Sequence, residues 1–101
     1  MHIFEHTDTF GGEANYCWAS RWHTAADLTD RQAIKLAKRL AGLTGVPCRK
    51  ESHGDMVALY PRGICHVLFI SYAEPGYGAG KCVDAAGMEV SAEDCTLASE
   101  A

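Results

Sequence analysis

The stretch Thr7 to His23, TDTFGGEANYCWASRWH, constrains this chain more than any other. It reads as two β-strands, Ile3 to Phe10 and Ala14 to His23, joined at Gly11-Gly12. Glycine accepts the positive φ angles that tight hairpin turns demand. Side chains alternate across a strand, so Tyr16, Trp18, Ser20 and Trp22 are expected on one side. Asn15, Cys17, Ala19 and Arg21 then share the other. The small Cys17 and Ala19 leave room there for a helix. The aromatic side would form an apolar patch that needs separate cover.

One helix is predicted. Thr29-Asp30-Arg31-Gln32 has the pattern of a capping box, in which the threonine hydroxyl satisfies an otherwise unpaired backbone N–H. Leu28 precedes it as the staple residue. Ala33, Leu36, Ala37, Leu40 and Ala41 recur on one face at helical spacing, flanked by Ile34 and Leu43. Gly42 or Gly45 stops the helix and Pro47 prevents its resumption. Three strands follow: Cys48 to His53, Met56 to Tyr60 and Ile64 to Tyr72. The last has apolar residues on both faces and belongs at the sheet centre.

The expected fold class is therefore α+β. It is an antiparallel β-sheet with one amphipathic helix packed on one face, in the order β-β-α-β-β-β. Residues 1–73 form the single domain. Residues 74–101 are a glycine-rich loop from Gly76 to Gly80, an extra hairpin around Ala86-Gly87 and a weakly structured acidic tail.

At 101 residues the chain is long enough to bury a core without metal or disulfide staples. Hydrophobic content of 48% against 22% charged residues excludes wholesale disorder. No apolar run approaches the roughly 20 residues that span a bilayer, and the start MHIFEHTDTF lacks a basic, apolar leader. A reducing cytoplasm is the expected location, with five free cysteines, of which Cys82 and Cys95 are the only pairing candidates. The net charge of −4 is unevenly spread. Residues 31–50 hold Arg31, Lys35, Lys38, Arg39, Arg49 and Lys50 with no acid, whereas acids dominate both flanks.

No motif fixes a chemistry. Zinc sites need ligand pairs at short spacings, and the histidines and cysteines here are scattered, so no metal or other cofactor is expected. Cys17, His66 and Asp8 can be assembled into a nucleophilic triad only on paper. Nucleic-acid binding has a better basis: Lys35, Lys38, Arg39 and Arg49 can contact phosphates, although the acidic remainder opposes it. Protein recognition fits best. A sheet with aromatics opposite its only helix needs a second cover, and a symmetric homodimer supplies one. The expected partner-binding residues are Tyr16, Trp18 and Trp22, with Asp8 and Glu13 as acidic contacts. Asp84 and Glu89 add carboxylates that can stand in for phosphates.

The string TDTFGGEANYCWASR, continued by the helix and GDMVALYPRG (Gly54 to Gly63), resembles a group of small proteins of bacteria, phages and mobile elements. That group carries no assigned chemistry, so the resemblance transfers no site residue. It implies a phage or mobile-element setting, where short acidic proteins obstruct host defence complexes in the manner of anti-CRISPR proteins. The expectation is a non-enzymatic interaction module. The alternatives are a nucleic-acid-binding domain using the basic helix and a small enzyme.

Overall fold

In the computed structural model, which describes residues 1–11, 13–72 and 80–90, six strands and one helix form an α+β fold. The strands are β1 (His2–Phe10), β2 (Glu13–Thr24), β3 (Cys48–His53), β4 (Met56–Pro61), β5 (His66–Tyr72) and β6 (Lys81–Cys82). The helix α1 is Asp30–Leu40. All strands belong to one sheet in the order β3-β4-β5-β1-β2-β6. The first five run antiparallel to their neighbours, but β6 lies parallel to β2. The sheet is therefore mixed, which corrects the purely antiparallel expectation. Gly80 makes the parallel approach possible: its φ is +75°, and a Cβ there would collide with the backbone of Arg21.

Helix α1 forms for the reasons written in its sequence. The Thr29 side chain accepts from the Gln32 N–H, and the Gln32 side chain accepts from the Thr29 N–H. At the other end Gly42, at φ +72°, donates to the Arg39 carbonyl while Leu43 donates to that of Lys38. That pair of bonds is a Schellman ending, which needs a left-handed residue at the glycine position. Ala33, Leu36 and Ala37 are buried against Phe4, Leu59, Leu68 and Ile70 of the sheet.

Cross-strand partners share a face, so the register divides the sheet's side chains. Phe4 pairs with Trp22 and Ile70, and Leu68 with His6 and Leu59. These face α1. Glu5, Arg21 and Phe69 are partners on the opposite face. Val67, Ala58 and Thr7 on that face are fully buried as well, so β5 is covered on both sides, as its composition implies.

Trp22 packs against the helix-covered core. This corrects the expectation that both indoles lie on the face away from α1. The strand parity was inverted: Trp22, and not Cys17 or Ala19, lies on the helix-bearing side. The cysteines differ too. Cys17, expected on the side that a helix would cover, is exposed, as is Cys65, and Cys48 is half-buried. Cys82 is disulfide-bonded, against the expectation of a chain kept reduced. Beyond β6, Val83 bridges Glu89 around a turn at Asp84 to Gly87. The extra hairpin thus exists in miniature. The expected tail disorder and most of the glycine-rich loop fall outside the described residues.

Candidate protein-docking site

The hairpin of β1 and β2 does not run in simple register. Thr7 pairs with Ala19, but Thr9 pairs with Ala14. A single residue of β1, Asp8, therefore faces the bulged segment Asn15 to Trp18. Its carboxylate organises that bulge. It accepts from Asn15 Nδ2 at 2.9 Å, from the Cys17 N–H at 2.9 Å and from the Trp18 N–H at 3.5 Å. These bonds, the Asn15 side chain first, hold the Asp8 carboxyl below its ordinary pKa against an opposing desolvation. The buried Thr7 hydroxyl donates to the Trp18 carbonyl at 2.7 Å.

The bulge turns its residues to both faces. Tyr16 sits at φ +55°, the one non-glycine residue in the left-handed region among the described residues. Its ring lies over the face away from α1, beside Ile3, Glu5 and Phe69. Desolvation first, then a hydrogen bond with Glu5, raises the Tyr16 hydroxyl pKa. Trp18 lies on the helix-bearing face instead. Its ring meets His6 edge-on at 4.8 Å and His66 at 4.9 Å. The two imidazoles are hydrogen-bonded to each other, His6 Nε2 to His66 Nδ1 at 3.2 Å. Burial first, then the neighbouring His66, lowers the His6 pKa.

The result is an aromatic end to the sheet. Thr9 N–H donates to the Cys65 carbonyl at 2.9 Å, which brings Ile64 alongside the hairpin tip. Phe10 is 80% exposed, Tyr16 52%, Trp18 40% and Ile64 38%. Among the described residues β6 covers the outer edge of β2 only at Trp22 and His23. The segment from Glu13 to Ser20 has no strand beside it there.

The expected site residues therefore separate. Tyr16 and Trp18 are exposed but on opposite faces, while Trp22 is half-buried against the helix-covered core. Asp8 is committed to the bulge, and Glu13 stands free and exposed opposite Phe10. Asp84 accepts from the Ala86 and Met88 N–H groups, which makes it a turn former, whereas Glu89 is exposed. The basic residues do not converge. Lys35, Lys38 and Arg39 lie on α1, but Arg49 pairs with Tyr60 on the other side of the sheet. There it sits 4.6 Å over the Tyr60 ring and 3.2 Å from Glu51. Of the paper triad, Asp8 and His66 are register partners, yet Asp8 bonds the backbone of Cys17 and His66 Nδ1 faces His6.

His6, His66, Phe10 and Ile64 were not among the expected site residues. The histidines meet only through the β1–β5 register, which no spacing in the sequence announces. Phe10 abuts the turn glycine, and an aromatic there is the one local signal that was readable. No protein-family profile, curated protein or solved structure matches this chain. No helix among the described residues is long and apolar enough to cross a membrane.

Proposed function

We propose that this chain is a non-enzymatic protein-recognition module whose aromatic end binds a second copy of the chain. Tyr16 is the observation that carries this reading. A bulky aromatic in the left-handed region costs on the order of 1–2 kcal/mol relative to glycine. Its ring is half exposed, so the isolated fold recovers little of that cost. Strain retained at an exposed aromatic points to a contact outside the chain. Trp18, Phe10 and Ile64 supply further anchors of the type that dominates interfaces.

The choice of a second copy rests on the open edge: among the described residues β2 has no outer neighbour from Glu13 to Ser20, and two copies related by a two-fold axis can set such edges against each other. The narrower reading, obstruction of a host nucleic-acid-handling complex, draws on the acidic balance and the resemblance of residues 7–21. Nucleic-acid binding through the basic residues gains nothing from a set divided between α1 and the far face of the sheet.

Light scattering across a concentration series tests the dimer. The wild type should double in mass, and Phe10→Ser with Trp18→Ala should raise the dissociation constant at least tenfold while the monomer still melts cooperatively, only a few degrees lower. A wild type that stays monomeric at its highest soluble concentration would overturn the reading.

A further inference from the structure

Two imidazoles from distant parts of the chain meet at the aromatic end of the sheet. His6 projects from β1 and His66 from β5, and their ring centroids lie 4.9 Å apart. His6 is only 8% exposed, so its surroundings fix its ring. His66 is half-buried and carries the pair toward solvent. Trp18 packs edge-on against both rings. Among the described residues the only hydrogen bond either ring makes is to the other, between His6 Nε2 and His66 Nδ1 at 3.2 Å.

We infer that this pair binds a divalent transition-metal ion of the zinc type, with His6 Nε2 and His66 Nδ1 as its two protein ligands. Zinc–imidazole bonds of about 2.0–2.1 Å at a tetrahedral angle hold two nitrogens about 3.3 Å apart. The observed 3.2 Å is close to that spacing. The ion would enter beside the line joining the nitrogens, with a small tilt of each ring. Each neutral imidazole carries one proton, and in the metal-free pair one of these lies between the rings. On binding, that ring carries its proton on the far nitrogen instead. Both facing lone pairs are then free, and no proton is released. Nitrogen ligands suit zinc or nickel, whereas magnesium and calcium demand oxygen. No third histidine, cysteine or acid joins the pair among the described residues, so water completes the coordination. The ion would tie β1 to β5 beside Trp18, at the end that α1 leaves bare.

Zinc chloride titrated into the isotope-labelled full chain tests this by nuclear magnetic resonance. Histidine side-chain spectra should move His6 Nε2 and His66 Nδ1 to metal-bound shifts and leave the proton on the other nitrogen of each ring. His66→Gln should weaken zinc at least tenfold. His53→Gln and Cys65→Ser remove an exposed imidazole near Glu51 and the exposed thiol beside His66, and should leave the affinity unchanged. Zinc should also raise the melting temperature of the wild type but not of His66→Gln, because a ligand that binds only the fold stabilises it. Magnesium chloride should do neither. If His66→Gln fails to fold, the wild-type spectra decide alone, since they name the ligating nitrogens. Zinc that leaves both nitrogens unmoved, or whose binding is lost in Cys65→Ser and kept in His66→Gln, overturns the inference. Both ligands belong to one protomer, so its failure leaves the dimer reading untouched.

Discussion

Trp18 and Trp22 occupy the same strand and the same face of the same sheet, yet their surroundings have little in common. Trp22 pairs with Phe4 and packs into the cluster that α1 closes. Trp18 is 40% exposed, and the rings it meets are two imidazoles. The difference follows from length. An eleven-residue helix is about 16 Å long, whereas a twelve-residue strand extends about 40 Å. One short helix cannot shield the whole of β2. Covered and bare ends therefore arise on one face from geometry alone, and the bare end is where an interaction surface can develop.

The largest expected effect separates these ends directly. Trp22→Ala should cost about 3 kcal/mol in urea unfolding, near the lower bound for removing a large aromatic from a core. Trp18→Ala should cost about 1 kcal/mol or less, because its ring is only partly enclosed. Equal losses would abolish the distinction between the two ends.

A smaller effect tests how firmly the bare end is built. Thr7 is fully buried, and its hydroxyl fixes the Trp18 carbonyl. Thr7→Val keeps the shape, removes the bond and should cost about 1–2 kcal/mol. Faster amide exchange confined to Asn15 to Trp18 would show that the loss falls on the bulge. Uniform exchange across β2 would instead make the hydroxyl a support of the whole sheet.

The two ends also differ in how far they were legible in sequence. The helix was readable at both termini, because a capping box and a glycine ending act within a few residues. The same holds for β3, β4 and most of β5, where alternation and turn glycines are local signals. The faces of β2 were not. Parity from Trp18 to Trp22 holds, but it does not report which side α1 covers, and Tyr16 at φ +55° turns its own ring away from the indoles. Nothing in Asn-Tyr-Cys-Trp reports that Asp8, on the neighbouring strand, will gather its backbone N–H groups. The parallel β6 and the His6–His66 contact are likewise products of register between distant segments. Local chemistry was visible, and non-local pairing was not.

Acid should loosen the bare end before it affects Trp22. His6 has a lowered pKa when folded, so the unfolded chain binds its proton more readily. Stability is then complete above the unfolded value near 6.5 and falls as pH drops from there toward the lower folded value. A second proton on the pair also replaces the imidazole–imidazole hydrogen bond with two opposed donors. His2, lowered for the same leading reason, adds to the same window from the start of β1. Tryptophan emission separates them: in a Trp22→Phe background the Trp18 signal should shift between pH 7.5 and pH 5, and His6→Gln should flatten that shift. An unchanged Trp18 emission would mean that the imidazoles do not hold the indole. Asp8 acts lower, its contribution present above pH 3.8 and lost below.

The smallest effect on the fold is the most informative about the surface. Tyr16→Gly relieves the left-handed strain of about 1–2 kcal/mol but adds unfolded-chain entropy of about 0.5–1 kcal/mol. It also removes the partly covered ring beside Ile3 and Phe69. These contributions nearly cancel, so the unfolding midpoint should move by less than about 0.5 kcal/mol in either direction. Self-association, measured on the same sample, should weaken several-fold, because the ring is an anchor of the proposed interface. A tyrosine whose loss destabilises the monomer strongly and spares the dimer would be a support of the far face of the sheet. A near-neutral monomer with a weakened dimer would mean that the left-handed tyrosine is retained for contact, since glycine would serve the bulge alone at least as well.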